Sequence, residues 1–436
     1  MKKNILLSIA ILLCTIAAHA QLGQCNSSYS RFGLGLLSEH SQGFNTSMAG
    51  VGIGINKGNI LNYTNPASYA AIDSLSFILD AGMSISMGNM KQGQLAENFR
   101  NAHLDYVSIG FRLRRHLGVS LGFMPYSRVG YSFMKEAIIV NDPATMNKIT
   151  SVSAYGGEGG LHQVYVGLGW NPIDKLSVGF NAGFLWGSCD HTMAQTFYEN
   201  DATSSSFSPL TAIHDAKLST YTIDLGAQYP VRLTKYDILG VGATVGIGHR
   251  VNSDATLARN AGTTETPLFT ATEPYDLPFT YGLGVALQHK RYLMVALDGK
   301  YERWSTCHTP VWDENTDDFA AGLGEYKDRI KLAAGAQYTP DAMDKHYWRR
   351  IQYRAGLQYS TPYLIINGQN GPREIGATLG VALPIMNNYN SRSTVNVGFK
   401  YMHRAASAPG MITENYFMCT VGLTFNEMWF MKYRIK

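Results

Sequence analysis

Large apolar side chains alternate with small or polar ones through most of the chain after about residue 75. Between Leu176 and Gly187, for example, every second residue is apolar, and most residues between them are glycine, serine or asparagine. A repeat of two places the two kinds of side chain on opposite faces of a β-strand. The pattern predicts fourteen strands, at residues 75–88, 104–113, 117–133, 161–170, 176–187, 216–231, 238–251, 277–288, 292–304, 328–339, 351–361, 373–384, 393–403 and 414–425.

The number and spacing of these strands indicate their surroundings. Most have the roughly 9–11 residues that a tilted strand needs to cross a bilayer, and bacterial outer-membrane barrels have an even number of strands. Connections after even-numbered strands are mostly short, such as 114–116, whereas those after odd-numbered strands are mostly long, such as 134–160. Short periplasmic turns and long outer loops produce this asymmetry. We therefore expect an all-β fold, a 14-stranded antiparallel transmembrane β-barrel over residues 75–425.

The two ends of the chain lie outside this pattern. Lys2 and Lys3 precede an apolar run that ends in Ala-His-Ala at residues 18–20. This predicts a cleaved signal peptide over 1–20 and export to the outer membrane of a Gram-negative cell. Residues 21–74 do not alternate, and we expect them to form an N-terminal hatch or plug in the lumen. Residues 426–436 form a predicted periplasmic tail.

A proline interrupts the third predicted strand. Pro125 has no N–H, so it removes a hydrogen bond from a strand ladder, and lipid supplies no water to replace that bond. The sequence predicts a local inward kink that faces residues 65–67. Because Pro125 is close to the end of a full membrane span counted from Leu117, the alternative is a proline above the bilayer. The residues proposed for the kink are Met124, Pro125, Tyr126 and Ser127.

Charge and candidate chemistry narrow the function. The chain has 36 Lys and Arg against 32 Asp and Glu, a balance that gives no argument for nucleic acid binding. Charges on the lipid face cost about 2–4 kcal/mol at membrane depth, so strand charges should face the lumen, with either Glu302 or Arg303 at the rim. The strand charges in question are Asp224, Lys300, Glu302, Arg303, Arg354 and Lys400.

Groups suited to metal binding or catalysis are sparse. The stretches 189–191 and 307–308 each contain Cys and His, which are zinc-ligand types, but they are far apart in sequence, and we predict no metal site and no cofactor. His162 and His249 lie within or near strands and in no motif that suggests a nucleophile partner. We therefore expect a protein that is not an enzyme.

The order of segments carries a family resemblance. Asn65, Pro66 and Ala67 can cap and begin a short helix, which is all that their spacing predicts. A compact N-terminal segment that ends in this Asn-Pro-Ala motif, followed by fourteen strands, resembles the FadL family of outer-membrane transporters of hydrophobic compounds. The stretches 159–170, 277–287 and 423–432 are similar to the branch of that family in bacteria with type IX secretion. The resemblance implies a hatch whose Asn-Pro-Ala motif lies near the kinked third strand.

Two functions follow from these expectations. The first is passive uptake of hydrophobic small molecules, such as long-chain fatty acids or aromatics, with lateral exit through the wall into outer-membrane lipid. The second is a non-transporting accessory barrel of an outer-membrane machine, either for type IX secretion or for β-barrel assembly. In either case the barrel-assembly machinery is a partner during biogenesis. Apolar residues proposed as outer-loop ligand contacts are Phe133, Met134, Ile138, Ile139 and Val140.

Overall fold

Fourteen strands form the wall of the protein in a computed structural model, which describes residues 26–142, 147–173, 175–199, 202–203, 208–260, 268–313, 317–385 and 393–428. The predicted signal peptide and residues 429–436 of the predicted tail lie outside the described residues. The strands are β1 (Ser76–Gln92), β2 (Leu95–Arg114), β3 (Leu117–Pro125 and Ser127–Asp142), β4 (Asn147–Ile173), β5 (Leu176–Glu199), β6 (Leu210–Arg232), β7 (Asp237–Gly246 and Asn252–Asn260), β8 (Leu268–Thr272 and Phe279–His289), β9 (Leu293–Arg303), β10 (Arg329–Tyr338), β11 (Gln352–Ser360), β12 (Arg373–Pro384), β13 (Thr394–Ala405) and β14 (Thr413–Met428).

The sheet closes on itself. Each strand pairs antiparallel with the next strand in sequence, and β1 pairs with β14 from Ser76 opposite Met428 to Lys91 opposite Thr413. Closure leaves no free edge at that seam, so the backbone groups of both strands bond to each other rather than to water. The predicted 14-stranded antiparallel barrel is confirmed.

Inward and outward side chains alternate along the wall. In β9, Met294 and Ala296 are buried, whereas Val295 and Leu297 are 40% and 53% exposed. The same alternation buries Asp298 on the inner face. An apolar outer face and a mixed inner face are what a transmembrane barrel requires, and this explains why a period of two predicts the strands well.

Several strands are longer than predicted. β4 and β5 remain paired from Ile173 opposite Leu176 to Ile149 opposite Glu199, so much of the regions 134–160 and 188–215, expected as loops, is strand. The outer parts of these hairpins have no apolar lipid row, and the sequence there loses the period that reveals a strand. The corresponding loop expectations are therefore corrected to hairpin extensions.

Residues 26–75, hereafter the N-terminal segment, lie inside the barrel and contact its wall from many sides. The segment contains three short 3₁₀ helices, Ser28–Arg31, Thr46–Met48 and Pro66–Ala71. Glycines on the inner wall allow the close approach of its backbone: a Cβ on Gly118 would lie 1.9 Å from the Tyr69 carbonyl oxygen, and one on Gly179 would lie 2.5 Å from the Pro66 carbonyl carbon. Among the described residues, no helix combines the length and apolar character needed to cross a membrane.

Candidate functional site

The wall is interrupted between β2 and the outer part of β3. The first part of β3, Leu117–Pro125 and hereafter its inner part, pairs with both neighbouring strands. Phe123 lies opposite Val107 of β2, and Pro125 lies opposite His162 of β4. The outer part, Ser127–Asp142, continues on β4, whereas the outer part of β2 pairs with β1. Within the described residues no ladder joins β2 to the outer part of β3, and we call this interruption the wall break.

The break begins at Pro125 because the chain bends there. Tyr126 separates the two parts of β3, and its N–H donates to the carbonyl of Leu161 at 2.7 Å. On β4, Gly159 and Gly160 have φ values of +117° and +138°, which glycine alone adopts without strain. A Cβ on Gly160 would lie 2.6 Å from the Ser127 carbonyl oxygen. Proline on one strand and two glycines on its neighbour therefore redirect β3 together.

The N-terminal segment occupies the free edge of the outer part of β3. Leu36 pairs with Arg128, and Leu37 pairs with Ser127, in an antiparallel bridge. The Ser38 N–H donates to the Tyr126 carbonyl at 2.9 Å. Further along the same edge, the Ser27 N–H donates to the Gly130 carbonyl at 3.1 Å, and the Gly130 N–H donates to the Ser30 hydroxyl at 3.1 Å.

Side chains also span the break. The Arg128 guanidinium donates to the Leu104 carbonyl of β2 at 3.2 Å and lies 3.4 Å from an Asp105 carboxylate oxygen. The side-chain amides of Asn26 and Asn101 are 2.9 Å apart. The break is thus closed by the N-terminal segment and by one arginine rather than by a strand ladder.

The Asn-Pro-Ala motif lies away from the kink. Asn65 caps the 3₁₀ helix by accepting from the Ala67 N–H at 3.1 Å, and its amide donates to the Ile53 carbonyl at 2.8 Å. Pro66 packs against Gly179 of β5. The expectation that the kink faces residues 65–67 is corrected, because the path of the segment brings Ser38 and His40 to Tyr126 instead. The buried side chain of Met124 packs in a cluster with Tyr63 and Tyr69, on either side of the motif.

A cavity of about 230 Å³ lies between the N-terminal segment and the inner wall. Its lining includes Glu39 and His40 from the segment and Tyr126 from the kink. Wall residues with charged side chains line part of the remainder, alongside apolar ones such as Leu277 and Trp304, so the lining of the cavity is mixed. These charged wall residues are Asp224, Asp298, Lys300, Glu302, Lys331 and Glu374.

Buried ion pairs join strands β9 to β14 on the inner face. Arg329 of β10 and Arg404 of β13 each donate to Glu374 of β12 at 2.7 Å. Arg404 also donates to Glu414 of β14 at 3.1 Å. All four of these side chains are at most 16% exposed. The sequence does not predict this group, although each residue occupies an inward position of its strand. Of the expected rim pair, Glu302 is buried inside and Arg303 is exposed.

The same side of the wall holds the N-terminal segment through charged groups. The Ser27 hydroxyl donates to the Glu414 carboxylate at 2.9 Å, and Lys400 pairs with Glu39. The Asp298 carboxylate accepts from the Gly52 and Ile53 N–H groups at 2.7 and 2.9 Å. Hydrogen bonds to charged groups contribute about 1.5–3 kcal/mol each, so the segment is firmly attached on this side.

The segment is also bonded to the middle of that wall. The Arg354 guanidinium donates to the Gly43 carbonyl at 3.1 Å, and the Thr378 hydroxyl accepts from the Ala49 N–H at 3.0 Å. Lys400 and Arg354 were both expected to face the lumen, and their contacts place them there. Of the expected lumen charges, Asp224, Arg354 and Lys400 thus bond to the N-terminal segment, whereas Glu302 pairs with Lys331 of the wall.

The residues proposed as outer contacts lie on the outer part of β3. Phe133 packs against a buried apolar cluster that includes Tyr131 and Leu34. Met134 and Ile138 are 78% and 57% exposed, and Ile139 is similarly exposed. Val140 pairs with Ile149 of β4. The side chains of Met134, Ile138 and Ile139 are thus exposed, whereas that of Phe133 joins the interior cluster, so these four do not form one pocket.

The cysteine and histidine residues are packed as ordinary side chains. Cys189 and Cys307 are free and belong to the same buried cluster. Among the described residues, no group of three or more Cys, His, Asp or Glu is arranged to hold a metal ion. His162 stacks on Phe123, and His249 bonds to Thr220 at 2.7 Å.

Comparison with known proteins gives the family. The family model described as BamG matches residues 1–436. The chain belongs to the BamG family. No match was found among curated proteins.

Solved structures show that this BamG-family chain has the fold of FadL-like barrels. The toluene transporter TbuX of Ralstonia pickettii is 13% identical, with 88% of this chain and 98% of that chain covered and a TM-score of 0.59. The toluene transporter TodX of Pseudomonas putida is 14% identical, with 91% and 100% covered and a TM-score of 0.56. A FadL homologue of Pseudomonas aeruginosa is 12% identical, with 88% and 97% covered and a TM-score of 0.50.

Proposed function

We propose that this chain is a non-transporting accessory barrel of a β-barrel assembly machine in the outer membrane. The name of its family points towards barrel assembly. The observation that carries the proposal is the attachment of the N-terminal segment: charged groups of β9, β11, β13 and β14 all bond to it. A segment held in this way closes the lumen permanently and makes the barrel a rigid body.

The charged residues in the lining of the cavity favour the same function. A hydrophobic molecule that entered it would lie against the Lys300 ammonium group without offering a hydrogen bond in return. Burial of a charged group without a partner is strongly unfavourable. The cavity therefore offers hydrophobic cargo an unfavourable contact at this position.

The direct test is purification of the tagged full-length chain from outer membranes in mild detergent. We expect the central barrel-assembly protein, identified by mass spectrometry, in stoichiometric amount. Deletion of the gene should lower the abundance of other outer-membrane barrels. A lone monomer, together with an unchanged set of outer-membrane barrels in the deletion strain, would refute the proposal.

A second candidate function is passive uptake of hydrophobic small molecules with lateral exit into the membrane. The wall break favours it, because displacement of residues 27–38 would join the lumen to the bilayer between β2 and the outer part of β3. Two of the structurally similar proteins are toluene transporters.

A cross-link distinguishes the two candidates. Leu37 and Ser127 are paired, so Leu37→Cys with Ser127→Cys should form a disulfide that locks the segment on β3. Under the accessory function, the locked protein supports barrel assembly as well as its reduced form does. Under the uptake function, oxidation abolishes toluene or fatty acid uptake, and a reductant restores it.

A further inference from the structure

One periplasmic connection is longer than the other periplasmic connections that the structure describes in full. The chain between β10 and β11, residues 339–351 and hereafter the β10–β11 loop, contains a short helix, Tyr347–Arg350. By contrast, β8 and β9 are joined by 290–292 alone, and β2 and β3 by 115–116. A simple hairpin needs only a few residues, so closing the wall does not account for the length of this loop.

The β10–β11 loop is ordered by its own hydrogen bonds. The Asp344 carboxylate accepts from Arg349 at 2.8 Å and from the His346 N–H at 2.7 Å. These bonds, that from Arg349 foremost, hold the pKa of Asp344 below its ordinary value. The Asp341 N–H donates to the Arg349 carbonyl at 2.8 Å, and the Asp341 carboxylate accepts from the Met343 N–H at 2.9 Å. The loop therefore has a fixed shape before it meets any partner.

The ordered loop presents apolar side chains to its surroundings. Met343 is 82% exposed and Trp348 is 74% exposed. Trp348 is more exposed than Trp170 or Tyr338 on the barrel wall, at 54% and 48%. Tryptophan and methionine are enriched at the centres of protein interfaces, and a preformed shape lowers the entropy cost of binding.

The charge around these side chains is basic. The acidic groups of the loop, Asp341 and Asp344, are turned to its own N–H groups and to Arg349, whereas Lys345 is exposed. The neighbouring turn adds exposed Lys290 and Arg291. That turn is bonded to the loop, because the Thr339 N–H donates to the Tyr292 carbonyl at 2.7 Å.

We propose that the β10–β11 loop is the docking site for a periplasmic protein that presents an acidic rim around an apolar pocket. Trp348 and Met343 would occupy the pocket, and Lys345 and Lys290 would face the rim. The inference rests on the proposed accessory function, since it names the surface through which the barrel joins its machine. Charge complementarity of this kind mainly sets partner choice and association rate.

A photo-cross-linker tests the contact in cells that produce the full chain. Trp348 is replaced by p-benzoylphenylalanine, and the matched control carries the same replacement at Trp170, which is exposed on the barrel wall. We expect a protein adduct from position 348, with an acidic peptide at the site of attachment, and no such adduct from position 170. Heat-modifiable migration on gels confirms that both variants form barrels.

Charge reversal supplies the second arm. In the Trp348 probe protein, Lys290→Glu combined with Lys345→Glu should lower the adduct yield at least tenfold, whereas Lys290→Arg with Lys345→Arg should preserve it. Any of three results would overturn the docking site. These are an adduct with lipid alone, an adduct with a second copy of this chain, and an adduct yield that charge reversal leaves unchanged. If purified wild-type protein carries assembly partners but position 348 touches none, only the docking site fails. If the wild-type protein carries no partner, the accessory function fails as well.

Discussion

The N-terminal segment meets two different walls on its two sides. At the wall break it replaces a missing neighbour of β3, and the contacts are mainly backbone hydrogen bonds such as that from Ser38 to Tyr126. On the side of β9 to β14 the ladder is unbroken, and the contacts are side-chain charges such as Asp298 and Glu414. The same segment therefore completes the interrupted wall at the break and is fixed to the intact wall on the side of β9 to β14. We expect the charged contacts on β9 to β14 to determine whether the N-terminal segment stays in place at the wall break.

The largest effect should come from the charged side. Glu374→Ala leaves Arg329 and Arg404 without a shared carboxylate, and removal of one partner from a buried ion pair costs about 3–5 kcal/mol. We expect a loss of that size in the free energy of unfolding, measured by urea titration in detergent. Glu136→Ala, at an exposed position on the outer part of β3, is the control. Equal stability of the two variants would contradict a structural role for the ion pairs.

A smaller effect should come from close packing of the segment near the inner end of β3. The Cβ of Gly118→Ala would overlap the Tyr69 carbonyl, and such overpacking costs about 1–3 kcal/mol. Gly299→Ala on β9 is the matched control, because its new Cβ would lie 3.6 Å from the nearest atom. We expect a lower midpoint of urea unfolding for the first variant alone. Identical midpoints would show that the segment does not press against Gly118.

The backbone repair itself can be weakened at one bond. Ser38→Pro removes the N–H that donates to Tyr126, at a cost of about 1 kcal/mol, whereas Ser38→Ala keeps that N–H. If the charged side keeps the segment in place, sensitivity of cells to hydrophobic antibiotics should stay within twofold of wild type for both variants. A large rise for Ser38→Pro alone would show that the break is a gate, and would favour the uptake function.

The smallest effect should be local to the β10–β11 loop. Asp344 has a lowered pKa, so its contribution to loop order is complete above the unfolded value near 3.9 and is lost as the pH falls through the lower folded value. The loop should therefore stay ordered at pH 5. Asp344→Asn should speed cleavage by trypsin after Lys345 at pH 7 without changing the unfolding midpoint of the barrel. Unchanged cleavage would remove the argument for a preformed loop.

Some of this arrangement could be predicted from the sequence. Lipid on one face forces the period of two, and that period located all fourteen strands. Pro125 disclosed an irregularity because proline lacks an N–H. The sequence does not predict that Leu36 and Leu37 pair with the free edge of β3, because a segment inside a lumen has no required hydrophobic period.

The charged group was hidden for a different reason. Arg329, Glu374, Arg404 and Glu414 come from four strands, and their contacts depend on a register that single strands do not reveal. The sequence does not predict the structure of the β10–β11 loop, because Trp348 is equally typical of the aromatic girdle at a membrane interface. A strand can thus be recognised from a short stretch of sequence, whereas its contacts with other strands and with the N-terminal segment cannot.

The enclosure of the N-terminal segment constrains the order of folding. Ser27 and Glu414, which bond to each other, are 387 positions apart in the chain. The segment also packs tightly against the inner wall, because Gly118 and Gly179 leave no room for a Cβ beside it. Since the segment contacts β14 as well as the early strands, we expect the seam between β1 and β14 to close after the segment has taken its place. Residues 26–75 would then act as a template around which the remaining strands assemble.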